Sequence, residues 1–188
     1  MQRKELLSLL AADPVIAAVK DDAGLDAAIA GGPQVLFLLY GDILTLPAMT
    51  ERIRSAGKYA FVHLDLAEGL AAREIAADFI AGRTAADGVI STKAQITRRA
   101  RERGLLAIQR FFLLDSMALG SIRSLSPDAA DLIEVLPGLM PGIIRRVCAA
   151  TAKPVIAGGL ISSKADVIAA LGAGAVAVST SHPEVWGM

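Results

Sequence analysis

The sequence predicts one α/β domain, in which eight parallel strands, each followed by a helix, close into a small barrel behind an N-terminal helix. Three observations predict it. Short β-rich runs recur about every 18 to 28 residues, and the segments between them carry apolar residues at helical spacing, which makes strands parallel and joined by crossovers. The runs are rich in Ala, Val, Ile and Leu, and the whole chain is 54% hydrophobic but only 4% aromatic, as suits strands covered on both faces. Finally, no Gly-rich fingerprint follows the first run, whereas Gly-containing turns follow the last two. That placement favours a closed (βα)8 TIM-type barrel over the doubly wound open sheet, which is the alternative. At 188 residues the chain falls below the usual length of about 250 for such a barrel, so its loops must be minimal.

Taken in order, MQRKELLSLLAADP reads as an amphipathic helix and not as a signal peptide. The eight runs are Val15-Ala18, Val35-Tyr40, Ala60-Asp65, Gly88-Ser91, Leu106-Arg110, Asp131-Leu136, Pro154-Ala157 and Ala175-Ser179. Helix stop signals stand at Gly57, Gly104, Gly172 and Gly174. Asp115 reads as the N-cap of the helix that follows it. No linker or composition shift divides the chain, so residues 1–188 are expected to form one domain.

Charge and cysteine use narrow the function. With 19 basic and 19 acidic residues, no global field draws the protein to nucleic acid or to an anionic membrane, so any nucleic-acid role needs a local patch. The single cysteine, Cys148, sits in a helical apolar pattern and reads as a buried small hydrophobe; it permits neither a disulfide framework nor a cysteine-cluster metal site. No apolar run reaches the roughly 18 residues of a transmembrane helix. The expectation is a cytoplasmic protein with no membrane partner, metal or cofactor.

The most informative stretch is KPVIAGGLISSKADVIAALGAGAVAVSTSHPEVW, from Lys153 to Trp186. One buried strand ends in Gly158-Gly159 and the next in Ser179, Thr180 and Ser181, ahead of Pro183 at the first position of a short helix. Backbone amides at a Gly-Gly turn approach an anion unobstructed, and paired turns of this kind hold phosphate after the last two strands of many barrels. FVHLDL places His63 and Asp65 on one strand face by period-two alternation, as candidates to hydrogen-bond a polyol. Lys93, Gln109, Arg110 and Glu134 close three further strands with polar groups of complementary charge. Outside the barrel, Arg98, Arg99, Arg101 and Arg103 spread over a broad helical face. A solvated outer helix is the plainer account, but a phosphate backbone would find its best local footing there.

HLDLAEGL (63–70), GVISTK (88–93), AIQRFFLLDS (107–116), DLIEVLPGLMPGII (131–144) and PVIAGGLI through AVAVSTS (154–181) resemble the glycerol-3-phosphate-responsive antiterminator family, the regulators of bacterial glycerol uptake operons. The similarity is collinear from about residue 15 to 186; IQRFFLLDS and IEVLPG carry it, since the Gly-Gly segment is shared by many barrel enzymes. It implies a non-enzymatic barrel that binds glycerol 3-phosphate as effector and then acts on leader mRNA, letting transcription pass a terminator. It carries over His63, Asp65, Lys93, Gln109, Arg110, Glu134, Gly158, Gly159, Thr180 and Ser181 as the ligand pocket. One departure is Ser162-Ser163, where the family is expected to have a basic residue.

Two other classes stay open. A small barrel enzyme acting on a triose or pentose phosphate would use Asp65 or Glu134 as base and Lys93 as electrophile or Schiff-base amine. The βα connections look too short for the closing lid such an enzyme usually needs, which favours the regulator. The third is a metabolite-binding protein that signals through protein partners. The sequence leaves room for a homo-oligomer.

Overall fold

The computed structural model describes residues 1–187. Eight parallel strands form a closed barrel in sequence order: β1 (Val15–Val19), β2 (Val35–Leu38), β3 (Tyr59–His63), β4 (Gly88–Ser91), β5 (Leu106–Phe112), β6 (Leu132–Leu136), β7 (Val155–Gly158) and β8 (Ala177–Thr180). Closure is made by β8 against β1, with Val15 opposite Val178. Around the strands lie α2 (Asp22–Ala30), α3 (Leu46–Ser55), α4 (Glu74–Arg83), α5 (Ala94–Glu102), α6 (Ser116–Arg123), α7 (Pro141–Ala150), α8 (Lys164–Gly172) and the single turn α9 (Pro183–Trp186). All eight expected runs are strands. The second and third each end two residues early, at Leu38 and His63, and Leu64–Leu66 forms a 3-10 turn.

Alternation sorts every strand into an outer and an inner face. Val62, Val89, Ala107 and Val178 pack outward against the helices. Inward, Ile16, Phe37, Phe61, Ile90, Ile108, Leu132 and Ile156 fill the barrel. The helix α1 (Arg3–Ala12) closes the N-terminal end, because Leu6 and Leu10 join that inner cluster. Phe37 and Phe61 are the large residues, and Gly88 makes room for Phe61: a Cβ there would stand 2.4 Å from the Phe61 ring and 2.5 Å from the Leu106 carbonyl oxygen. Filling the bottom and middle of the barrel this way leaves its C-terminal end as the open one.

The helix stops follow the expected chemistry. Gly57, Gly104 and Gly174 take φ of +73°, +82° and +104°, conformations open to glycine. Asp115 caps α6, accepting from the N–H groups of Met117 at 2.8 Å and Ala118 at 3.1 Å. Cys148 is half-buried, and burial pushes its thiol pKa up, so it behaves as a hydrophobe. Among the described residues no helix is long and apolar enough to cross a membrane.

Candidate functional site

At the open end, the inward residues change from aliphatic to charged. Arg110 on β5 and Glu134 on β6 are 7% and 0% exposed, and the Arg110 Nε donates to Glu134 Oε2 at 2.6 Å. The other carboxylate oxygen accepts from the Ser179 hydroxyl at 2.6 Å. The carboxylate is thus held by one charged and one neutral donor from strands on either side. Gly158 is required here for space: a Cβ would lie 2.5 Å from both Glu134 Oε1 and Ser179 Oγ.

Above this triad runs the β7–α8 turn. Gly159 and Leu160 take consecutive left-handed conformations, φ +73° and +63°. For Leu160 that is a strained state of the kind found at ligand clamps. The turn is pinned from both sides, by the Gly138 N–H donating to the Gly159 carbonyl at 3.1 Å and by the Thr180 hydroxyl donating to the Ile161 carbonyl at 2.6 Å. The Trp186 indole N–H in α9 fixes the Thr180 carbonyl at 2.9 Å. Among the described residues, the backbone N–H groups of Gly159, Leu160 and Ser181 donate to no protein acceptor. They border one cavity of about 540 Å³, lined also by Lys20, Arg110, Glu134, Ser179 and His182. Several unpaired amides beside a cation are suited to an anion.

Lys20 escaped the sequence reading. It follows β1 directly, in VIAAVKD, so the signal was a lysine at the C-terminal rim of a barrel strand. It is a basic residue in the lining of the mouth, which Ser162 and Ser163 do not join. Those serines do another job: both N–H groups donate to Asp166, at 3.0 and 2.9 Å, and the Ser163 hydroxyl caps α8.

Of the polyol candidates, His63 faces inward with Phe61, is 3% exposed, and its Nδ1 has no hydrogen-bond partner. Burial first, and the Arg110 charge second, hold its pKa down to about 4, against the weaker opposing pull of Asp65. Asp65 itself is a correction. Because β3 ends at His63, its carboxylate does not share the strand face; it lies in the 3-10 turn and accepts from Ser91 Oγ, Thr92 N and Thr92 Oγ1, each at 2.7 Å. Burial raises its pKa, but those bonds prevail and hold it below the ordinary value. Its geometry is that of a loop clamp.

Gln109 is a second correction. It alternates with the inward Arg110 and so points out through the barrel wall, donating to the Thr92 carbonyl at 2.9 Å and accepting from the Thr97 hydroxyl at 3.0 Å. Lys93 likewise stands outside the mouth, exposed, beside the groove between α5 and α6.

The four arginines of the α5 region do not form a free cationic face. Arg98 pairs with Asp128 at 2.9 Å, Arg99 with Asp78 at 2.9 Å, Arg101 with Asp131 at 3.0 Å and Arg103 with Asp78 at 3.2 Å. Arg98 and Arg103 are exposed and Arg99 and Arg101 half-buried; helical spacing placed them on the outside but did not show these partners on neighbouring elements.

The comparisons with known proteins agree with this architecture. The model of the family described as "Glycerol-3-phosphate responsive antiterminator" matches residues 15–186. The protein YgcP of Escherichia coli (strain K12) is 43% identical over 182 residues, spanning 96% of this chain and 95% of that protein. The crystal structure of the glycerol uptake operon antiterminator regulatory protein of Listeria monocytogenes superimposes with a TM-score of 0.85 at 31% identity, covering 92% of this chain and 94% of that one. A glycerol uptake operon antiterminator-related protein of Thermotoga maritima gives 0.80 at 33% identity, covering 94% and 99%. A match over nearly the whole barrel, at such identities, places the chain in the glycerol-3-phosphate-responsive antiterminator family.

Proposed function

We propose that the protein binds glycerol 3-phosphate in the barrel mouth and, so loaded, acts in the cytoplasm on leader mRNA of a glycerol uptake operon to let transcription pass a terminator. The observation that carries the ligand half is the polarity of one cavity. Its upper part offers the amides of Gly159, Leu160 and Ser181 with Lys20; its floor offers Arg110, Glu134 and Ser179. The first set suits a phosphate dianion. The second suits hydroxyls, with Glu134 as acceptor and Arg110 as donor; His63, which feels the Arg110 charge, adds a buried Nδ1 without a partner.

The enzyme alternative loses its parts here. Glu134 has both oxygens engaged, Asp65 is turned onto Ser91 and Thr92, and Lys93 lies outside the mouth. No one of them is left poised as base or Schiff-base amine, which supports a binding protein.

The test is thermal unfolding with glycerol 3-phosphate and with glycerol. At about 100 times its dissociation constant the phosphate ester should add about 2.7 kcal/mol of stability, and glycerol should add none. Gly159→Val puts a β-branched residue at φ +73° and should lower apo stability by about 1–3 kcal/mol while abolishing the shift. Equal shifts with both ligands would refute the phosphate assignment.

A further inference from the structure

Between α5 and α6, over the outer face of β5, lies a second cavity of about 760 Å³. It exists because α6 leans on α7 and leaves the flank of α5 open. Its walls carry the exposed cations Arg98 and Lys93, the latter with one long bond from its Nζ to the Ala72 carbonyl at 3.4 Å, the α6 hydroxyl of Ser121 and, just past the helix end, that of Ser124; no carboxylate lines it. Phe112, 51% exposed, stands at its border with the barrel mouth. Arg110 and Phe112 line both this groove and the mouth cavity.

We propose that this groove holds a single-stranded segment of RNA, with Lys93 and Arg98 on phosphates, the serine hydroxyls on the sugar-phosphate backbone, and Phe112 under a base. The proposal rests on the function proposed above and assigns the surface that function needs. Charge selects the occupant: the lining carries cations and no carboxylate, and the one acid paired at its edge, Asp128 on Arg98, is exposed, so on a protein of zero net charge a polyanion fits better than a peptide of mixed charge. The aromatic selects the strandedness, since a single strand presents open base faces and a duplex hides them. Arg98 becomes available cheaply, because its partner Asp128 is exposed and such pairs are weak. The other three arginines are outside the groove lining. The shared wall also supplies a route for coupling, for a ligand seated on Arg110 bears on one side of β5 and the RNA on the other.

The test uses the full chain, saturating glycerol 3-phosphate and a labelled leader transcript of a glycerol uptake operon. Lys93→Ala with Arg98→Ala should weaken binding roughly tenfold or more and flatten the slope of log affinity against log salt by about 1.4, at about 0.7 per phosphate contact on a single strand. Ser124→Glu, which adds an anion to the wall, should weaken it comparably, and glycerol 3-phosphate should still raise the melting temperature of all these variants. Oligouridine should compete for the site and duplex RNA should not. If the variants bind the transcript like the wild type, or duplex competes in place of oligouridine, the groove assignment is wrong while the regulator reading stands. If the wild type binds no transcript with or without ligand, the regulator reading fails and the groove falls with it.

Discussion

Glu134→Ala is expected to cost about 3–5 kcal/mol of folding stability, read as a lower urea midpoint at unchanged slope. Removing the carboxylate leaves the Arg110 guanidinium, 7% exposed, without its counter-charge and strips the Ser179 hydroxyl of its acceptor. An uncompensated buried charge is among the few single changes with an effect of this size. Replacing the pair together, Arg110→Met with Glu134→Leu, should recover most of the stability, because desolvating two ions offsets much of what their attraction contributes. Neither variant should respond to glycerol 3-phosphate. A cost below about 1 kcal/mol for Glu134→Ala would mean that Arg110 reaches solvent through the mouth and that the pair does not organise the floor of the site.

Acid should destabilise the apo protein between pH 6.5 and about 4 through His63. Its folded pKa is depressed to about 4 by burial and by Arg110, so the folded state binds fewer protons than the unfolded chain across that window. Stability therefore rises with pH there, and is lost as pH falls, by about 3 kcal/mol on reaching pH 4. The lowered carboxyls of Asp42, Asp65, Asp128 and Asp166 add their losses only as the pH falls through their unfolded value near 3.8. Asp87, whose pKa burial raises, acts in the opposite sense. The comparison with His63→Gln isolates the histidine: urea midpoints of the variant should be flatter from pH 6.5 to 4.5. Identical pH profiles would show that His63 accepts a proton without cost.

The barrel was legible because its signal is redundant. Eight runs of Val, Ile, Leu and Ala at regular spacing need only be roughly placed for alternation and closure to follow. Arg110, Glu134, Gly158, Gly159, Ser179, Thr180 and Ser181 meet at one mouth because each sits at a strand end, where the open face of the barrel is fixed by topology. Asp65 and Gln109 went astray for local reasons. Alternation holds only while the strand lasts, and β3 stops at His63; on β5 adjacent residues necessarily face opposite ways, so Gln109 and Arg110 cannot share the mouth. The compensation of the α5 arginines was invisible because Asp78, Asp128 and Asp131 come from neighbouring elements 21 to 30 residues away in sequence. Lys20 was visible, as a lysine closing the first strand, but nothing nearby marked it until the eighth strand closed on the first.

A protein that reads a phosphorylated metabolite and reports it to RNA must bind the two with coupled affinities. Titration gives the affinity for glycerol 3-phosphate with and without saturating leader transcript, and for the transcript with and without the metabolite. Thermodynamic linkage requires the two ratios to be equal, and each ligand is expected to tighten the other, by a factor of about 5 to 150 if the coupling is of ordinary size. Glycerol 3-phosphate that is consumed during the titration, or that binds with the same affinity whether or not the transcript is present, would contradict it.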